Sequence, residues 1–102
     1  MPQGSTNAGE RRRVRVVVSG RVQGVGFRYS TIYEANHLSL NGWVRNRRDG
    51  TVEILAEGRT QDVEALLSWC RRSPPGSRVT SVQHSEEPAD PPLAGFEIRY
   101  ST

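Results

Sequence analysis

Lysine is absent from this chain: its 14 basic residues are all arginine, set against 11 acidic residues for a formal charge of +3. Without lysine there is no Gly-Lys-Ser/Thr, so nucleotide phosphates cannot be gripped as they are in a P-loop. Cysteine is nearly as scarce. The lone Cys70 excludes an internal disulfide, so the fold does not rest on an oxidising compartment and the cytoplasm is the expected location. No apolar run is long enough to span a membrane or to form a signal-peptide core. No G-x-S-x-G occurs, which removes the nucleophile elbow of a serine hydrolase. His37, His84 and Cys70 show none of the usual ligand spacings, so no metal centre is expected.

The charge that is present is unevenly placed. Residues 1–13 (MPQGSTNAGERRR) hold three of the arginines and one acid, and the remainder is close to balanced, so no duplex-binding face is implied. This stretch is small and polar, has nothing to bury, and reads as a disordered leader. Its arginines lack the apolar face of an organelle-targeting peptide. Residues 14–102 are long enough for one domain with a modest core.

Local signals change fastest between Val14 and Tyr29 (VRVVVSGRVQGVGFRY). Val14, Val16, Val17 and Val18 favour an extended strand. Gly20, Gly24 and Gly26 then interrupt regular structure, and Ile32, Ala35 and Leu38 follow at helical spacing. Strand, glycine-rich loop and helix is the expected order. A helix leaves its first N–H groups without intrahelical partners and carries partial positive charge at that end. Glycines just before it can turn several N–H groups towards one point, and Arg28 adds a forked positive charge. The leading expectation is an anion-binding loop; the alternative is a tight turn whose glycines only relieve strain. A dinucleotide fingerprint does not fit, because Tyr29 stands where its third glycine belongs.

The remaining chain reads in order as four strands and a helix. Strands are expected at about Gly42–Arg47 and Thr51–Glu57, joined through Asp49-Gly50, with Gly58-Arg59 ending the second of them. Thr60 is the expected N-cap of a helix whose Val63, Leu66, Leu67 and Cys70 form one apolar stripe, stopped by Pro74-Pro75. On that stripe Cys70 is a small core residue. A strand over Arg78–Ser85 should carry a bulge, because Val79 and Val82 are three apart. Glu86–Pro92 is an acidic connection, and Phe96, Ile98 and Tyr100 alternate in a final strand. The pattern is βαββαβ with a short extra C-terminal strand, a ferredoxin-like α+β sandwich whose antiparallel sheet is covered on one face by two helices. In that topology strands one and two are parallel with strand three between them, so the loop and Asn46 share one rim, about 10 Å apart.

GRVQGVGFR at 20–28, GWVRN at 42–46 and DGTVE at 49–53 closely resemble the acylphosphatase family, and WCRRSPPGSRVTSV at 69–82 is similar to its second-helix ending. The resemblance spans about residues 14–101. It implies a monomeric hydrolase of carboxyl-phosphate mixed anhydrides, with an acyl phosphate as substrate, phosphate as product, and no cofactor, metal or covalent intermediate. It further implies that Arg28 and the amides of Gln23, Gly24, Val25, Gly26, Phe27 and Arg28 bind phosphate, while Asn46 orients the attacking water. Ser39 and Ser73 stand where the family often has glycine. The competing expectation is a non-enzymatic ferredoxin-like module binding RNA or a small anion. There Arg45, Arg47 and Arg48 would contact phosphates and Trp43 would stack on a base; otherwise those arginines are a solvated hairpin flank. A carbamoyl-phosphate-handling unit of the same family is a further reading, usual in longer chains.

Overall fold

The computed structural model describes residues 10–102; the expected leader, up to residue 9, lies outside them. The elements run β1 (Arg11–Arg21), α1 (Phe27–His37), β2 (Asn41–Asn46), β3 (Val52–Arg59), α2 (Thr60–Arg71), β4 (Arg78–Glu87) and β5 (Phe96–Ile98). One sheet of order β4-β1-β3-β2-β5 carries both helices. Since β3 is antiparallel to both β1 and β2, those two are parallel with β3 between them, as the topology requires. No helix among the described residues is long and apolar enough to cross a membrane.

Four expectations need correction. Strand β1 begins at Arg11, so Arg11–Arg13 belong to the sheet: they pair with Arg59–Glu57 of β3. Gly58 and Arg59 continue β3 instead of ending it, and the N-cap of α2 is Arg59, with Thr60 already helical. The sheet is mixed, because β5 runs parallel to β2. Tyr100 lies beyond β5 and is 96% exposed. The expected bulge is present: the β1–β4 register shifts between Ser19 and Gly20, leaving Thr80 as the extra residue.

Between the sheet and the helices lies the core of Val14, Val16, Val18, Val44, Val52, Ile54 and Ala56 under Val63, Leu66, Leu67 and Cys70, all fully buried. Helix α2 presents the stripe that its spacing predicts. Helix α1 is different, burying Phe27, Thr31 and Ala35 while Ile32 and Leu38 pack at the margin. Thr31 tolerates burial because its hydroxyl donates to the Phe27 carbonyl at 2.8 Å.

No helix of the described residues covers the other face, yet Glu53, Leu55 and Glu57 of β3 are buried there as well. Arginines do the covering. Arg11 and Arg13 bind the two oxygens of Glu57 at 2.8 and 2.6 Å, and Arg15 and Arg45 bind those of Glu53. The connection from β4 to β5 crosses this face at one end, touching the strands in turn. Pro91 accepts from Arg13 at 2.5 Å, the Leu93 N–H donates to Glu57 at 3.3 Å, and Asn41 bonds Leu93 and Gly95. This route delivers β5 to the far edge and sends the C-terminal residues back to the opposite end of the sheet.

Ser39 sits at φ 57°, closing α1 with the Leu40 N–H on the Ala35 carbonyl at 2.8 Å, a left-handed C-cap that favours glycine. Ser39→Gly should raise unfolding free energy by about 1 kcal/mol in urea titrations. Ser73, at φ 55°, should gain less as glycine, because its hydroxyl accepts the Val79 N–H at 3.0 Å. A loss of stability in Ser39→Gly would refute the strain.

Burial pushes the Glu53 and Glu57 carboxyls up, but the arginine hydrogen bonds outweigh it and hold both below their ordinary range. The folded state therefore binds fewer protons than the unfolded one. The associated stability is complete above the ordinary glutamate pKa, about 4.3, and is lost as pH falls below it. Urea midpoints measured from pH 6 to pH 3 should fall, and should fall less in Glu57→Gln, which starts from lower stability.

Candidate active site

The loop between β1 and α1 is pinned at both ends: Val22 is 1% exposed, and Phe27 is 3% exposed and packs on Trp69 with centroids 5.6 Å apart. Between them Gly24 and Gly26 adopt φ of 73° and 81° and lie exposed, with Gly26 as the N-cap of α1. This left-handed pair keeps the backbone from closing on itself. Among the described residues the N–H groups of Gln23, Gly24, Val25, Gly26, Phe27 and Arg28 make no hydrogen bond of good geometry; residues 23–26 form only a loose turn, and the first helical bond runs from Ser30 to Gly26 at 3.0 Å. A run of free donors at a helix N-terminus is a ready concavity for an anion.

Arg28, in the first turn of α1, is half-buried and makes no ion pair among the described residues. It borders a cavity of about 620 Å³ whose other walls are Glu97, Ile98, Arg99, Tyr100 and Ser101. Asn46 ends β2. Its main-chain carbonyl accepts the Thr102 N–H at 3.1 Å, and its side-chain Oδ1 is buried without any hydrogen-bond partner. A buried amide oxygen left unpaired costs about 1–3 kcal/mol, which makes it a functional candidate.

The expected gap between loop and β2 is real, since β3 separates β1 from β2. Gln23 closes it. Its Nε2 donates to the Arg47 carbonyl at 2.7 Å and to the Thr51 carbonyl at 2.8 Å, across the base of the β2–β3 turn. Reasoning from sequence gave Gln23 only a main-chain role and missed this. It also missed the C-terminal segment. Arg99 donates its N–H to Val44 at 2.9 Å and Thr102 donates to Asn46, so residues 99–102 extend along β2 and link the Arg28 cavity to the Asn46 backbone. No pattern in Arg-Tyr-Ser-Thr signals that placement.

Trp43 is 7% exposed, covered by the guanidiniums of Arg45, Arg99 and Arg15 at 4.8, 5.3 and 5.8 Å from its ring centre. It offers no face for base stacking. The flanking hollow of about 560 Å³ is lined by Arg45, Arg47, Arg48, Asp49, Glu53 and Thr102. Its charges are largely spent on each other: Arg45 binds Glu53 at 2.8 Å, so it is part of the sheet cover and not a solvated flank, and Arg47 lies 3.4 Å from Asp49. Burial pushes the Cys70 thiol up to about 12, so it is protonated at neutral pH and inert.

A family model described as Acylphosphatase matches residues 14–98. The chain is 50% identical over 97 residues to the acylphosphatase of Rubrobacter xylanophilus, across 95% of this chain and 88% of that one. It is 55% identical over 75 residues to the acylphosphatase of Methylococcus capsulatus, across 74% and 82% of the two chains. Among solved structures, the acylphosphatase from Bacillus subtilis aligns with a TM-score of 0.83 at 42% identity, covering 87% of this chain and 99% of that one.

The loop geometry yields a direct test. No atom lies within 4 Å of a Cβ added at Gly26, so Gly26→Ala has room but is forced into a left-handed backbone. It should cost about 1–2 kcal/mol of stability if the loop holds its shape. If the loop relaxes instead, inorganic phosphate should lose its protection against thermal unfolding. Unchanged stability together with unchanged phosphate protection would refute the strained-loop account.

Proposed function

The chain belongs to the acylphosphatase family and is an enzyme that hydrolyses acyl phosphates to carboxylate and phosphate; on that premise we propose that Arg28 and the loop amides bind the phosphoryl group while Asn46 holds the attacking water. The observation that carries the proposal is the buried Oδ1 of Asn46, which has no partner among the described residues. In this reading the Asn46 side chain turns towards the loop when substrate binds, so that Oδ1 accepts one hydrogen of a water that presents its lone pair to phosphorus.

The chemistry suits so small a site. The new P–O bond forms from the water as the bond from phosphorus to the acyl oxygen breaks, and the carboxylate leaves with the electron pair. The water's proton passes to a phosphoryl oxygen, since an amide is a poor base. A carboxylate is a good leaving group, so positioning and charge stabilisation supply most of what is needed. The free N–H groups of residues 23–28 and the unpaired guanidinium suit the equatorial oxygens of a loose transition state. No metal ion is required by this scheme. We also propose a cytoplasmic monomer: the fold rests on no disulfide, and both halves of the site come from one chain.

Benzoyl phosphate hydrolysis in EDTA tests the assignment. Arg28→Ala should abolish turnover and inhibition by phosphate while circular dichroism stays native. Asn46→Ala should lower kcat by about 10²–10³-fold and leave the phosphate inhibition constant within about threefold. Turnover retained in Arg28→Ala would remove that residue from the mechanism, and equal losses of kcat and phosphate affinity in Asn46→Ala would make Asn46 structural.

A further inference from the structure

The two halves of the site, residues 23–28 and Asn46, lie at least 18 residues apart in sequence, and among the described residues one side chain joins them by hydrogen bonds. Gln23 spends both amide hydrogens on the turn that carries Asn46, at 2.7 Å to Arg47 and 2.8 Å to Thr51. Arg47 follows Asn46 directly, and Thr51 precedes Val52, the residue paired with Asn46 across the sheet. The same Thr51 carbonyl accepts the Arg47 N–H at 2.9 Å. Gln23 therefore grips both strands of the hairpin at the step where Asn46 leaves it.

We propose that the Gln23 side chain is a positioning residue that sets the separation between the phosphoryl-binding loop and the water held by Asn46. The inference rests on the roles assigned above to the loop and to Asn46. The strap acts through a side chain, whereas any contribution of Gln23 to the cradle is made by its main-chain N–H. Substitution separates the two. Without the strap, loop and hairpin drift independently, and a misplacement of about 1 Å between reacting atoms can cost on the order of 10²-fold in rate. Phosphate, held by the loop and Arg28 alone, should not notice.

Gln23→Met keeps the length and the main-chain donor but removes both side-chain donors. Its kcat for benzoyl phosphate should fall about 10- to 100-fold, with the phosphate inhibition constant changing less than about threefold. In an Asn46→Ala background the same substitution should cost less than about twofold, because the group being positioned is gone. Equal fold-losses in both backgrounds would overturn the proposal, as would lost phosphate affinity with kcat intact. Wild-type kcat in Asn46→Ala alone would instead remove the Asn46 assignment, and the strap with it. Gln23→Glu supplies a second reading should the methionine variant fold poorly. Its carboxylate has no hydrogen to donate, but its protonated form has one. The ratio of variant to wild-type kcat should then rise as pH falls through the carboxyl titration; a flat ratio would overturn the role of donation.

Discussion

The structure depends on one topological constraint: two parallel strands, joined by a crossover helix, finish at the same rim. Strand β1 ends in the glycine-rich loop and β2 ends in Asn46, with β3 between them. The loop and the end of β2 therefore share one rim without any long excursion of the chain. A rigid sheet fixes the direction of approach, and the side chain of Gln23 sets the remaining distance. Such a site is built from element ends on a scaffold that does not need to move.

The open face of the sheet shows how a chain of this size keeps that scaffold rigid. No second layer of helices covers it among the described residues. Glu53 and Glu57 instead lie buried under arginine pairs, and Trp43 lies under three guanidiniums. Arginine suits this use because its planar group both forks onto carboxylates and stacks on an aromatic ring, which the ammonium of lysine does less well. The absence of lysine and the polar-looking faces of β1 and β3 thus have one physical reading. The cover is also an acid-sensitive one, since its stability lies in ionised carboxylates.

Most of the fold was legible because its signals are local and periodic. The valine run of β1, the stripe on α2 and the spacing of Val79 and Val82 each point to a feature the structure contains. The errors came where distant residues decide the outcome. Arg11–Arg13 look like tail until Glu57 and the crossing segment are placed above β3. Gly58-Arg59 looks like a break, but the sheet register carries β3 through it. At the site, Arg28 and Asn46 were named from motif residues, and the structure leaves both without side-chain partners among the described residues. The two donations from Gln23 and the path of residues 99–102 depend on contacts across the fold, which no spacing encodes.

The distribution of unsatisfied polar groups separates what is structural here from what is held ready. The loop N–H groups lie beside exposed Gly24 and Gly26, where water can solvate them, so leaving them free costs little. The Oδ1 of Asn46 has no such access and carries a penalty of about 1–3 kcal/mol. A fold this small has little stability to give up, and elsewhere even buried Thr31, Glu53 and Glu57 are fully bonded. Among the described residues the one buried amide oxygen left open is thus an exception to the rule the others obey. Gln23, beside it, is the contrasting amide: both of its hydrogens are committed to the hairpin, so it can brace the turn but has none left to offer a ligand. In the proposed mechanism two amides at one rim, one spent and one open, divide the work of holding the site from the work of using it.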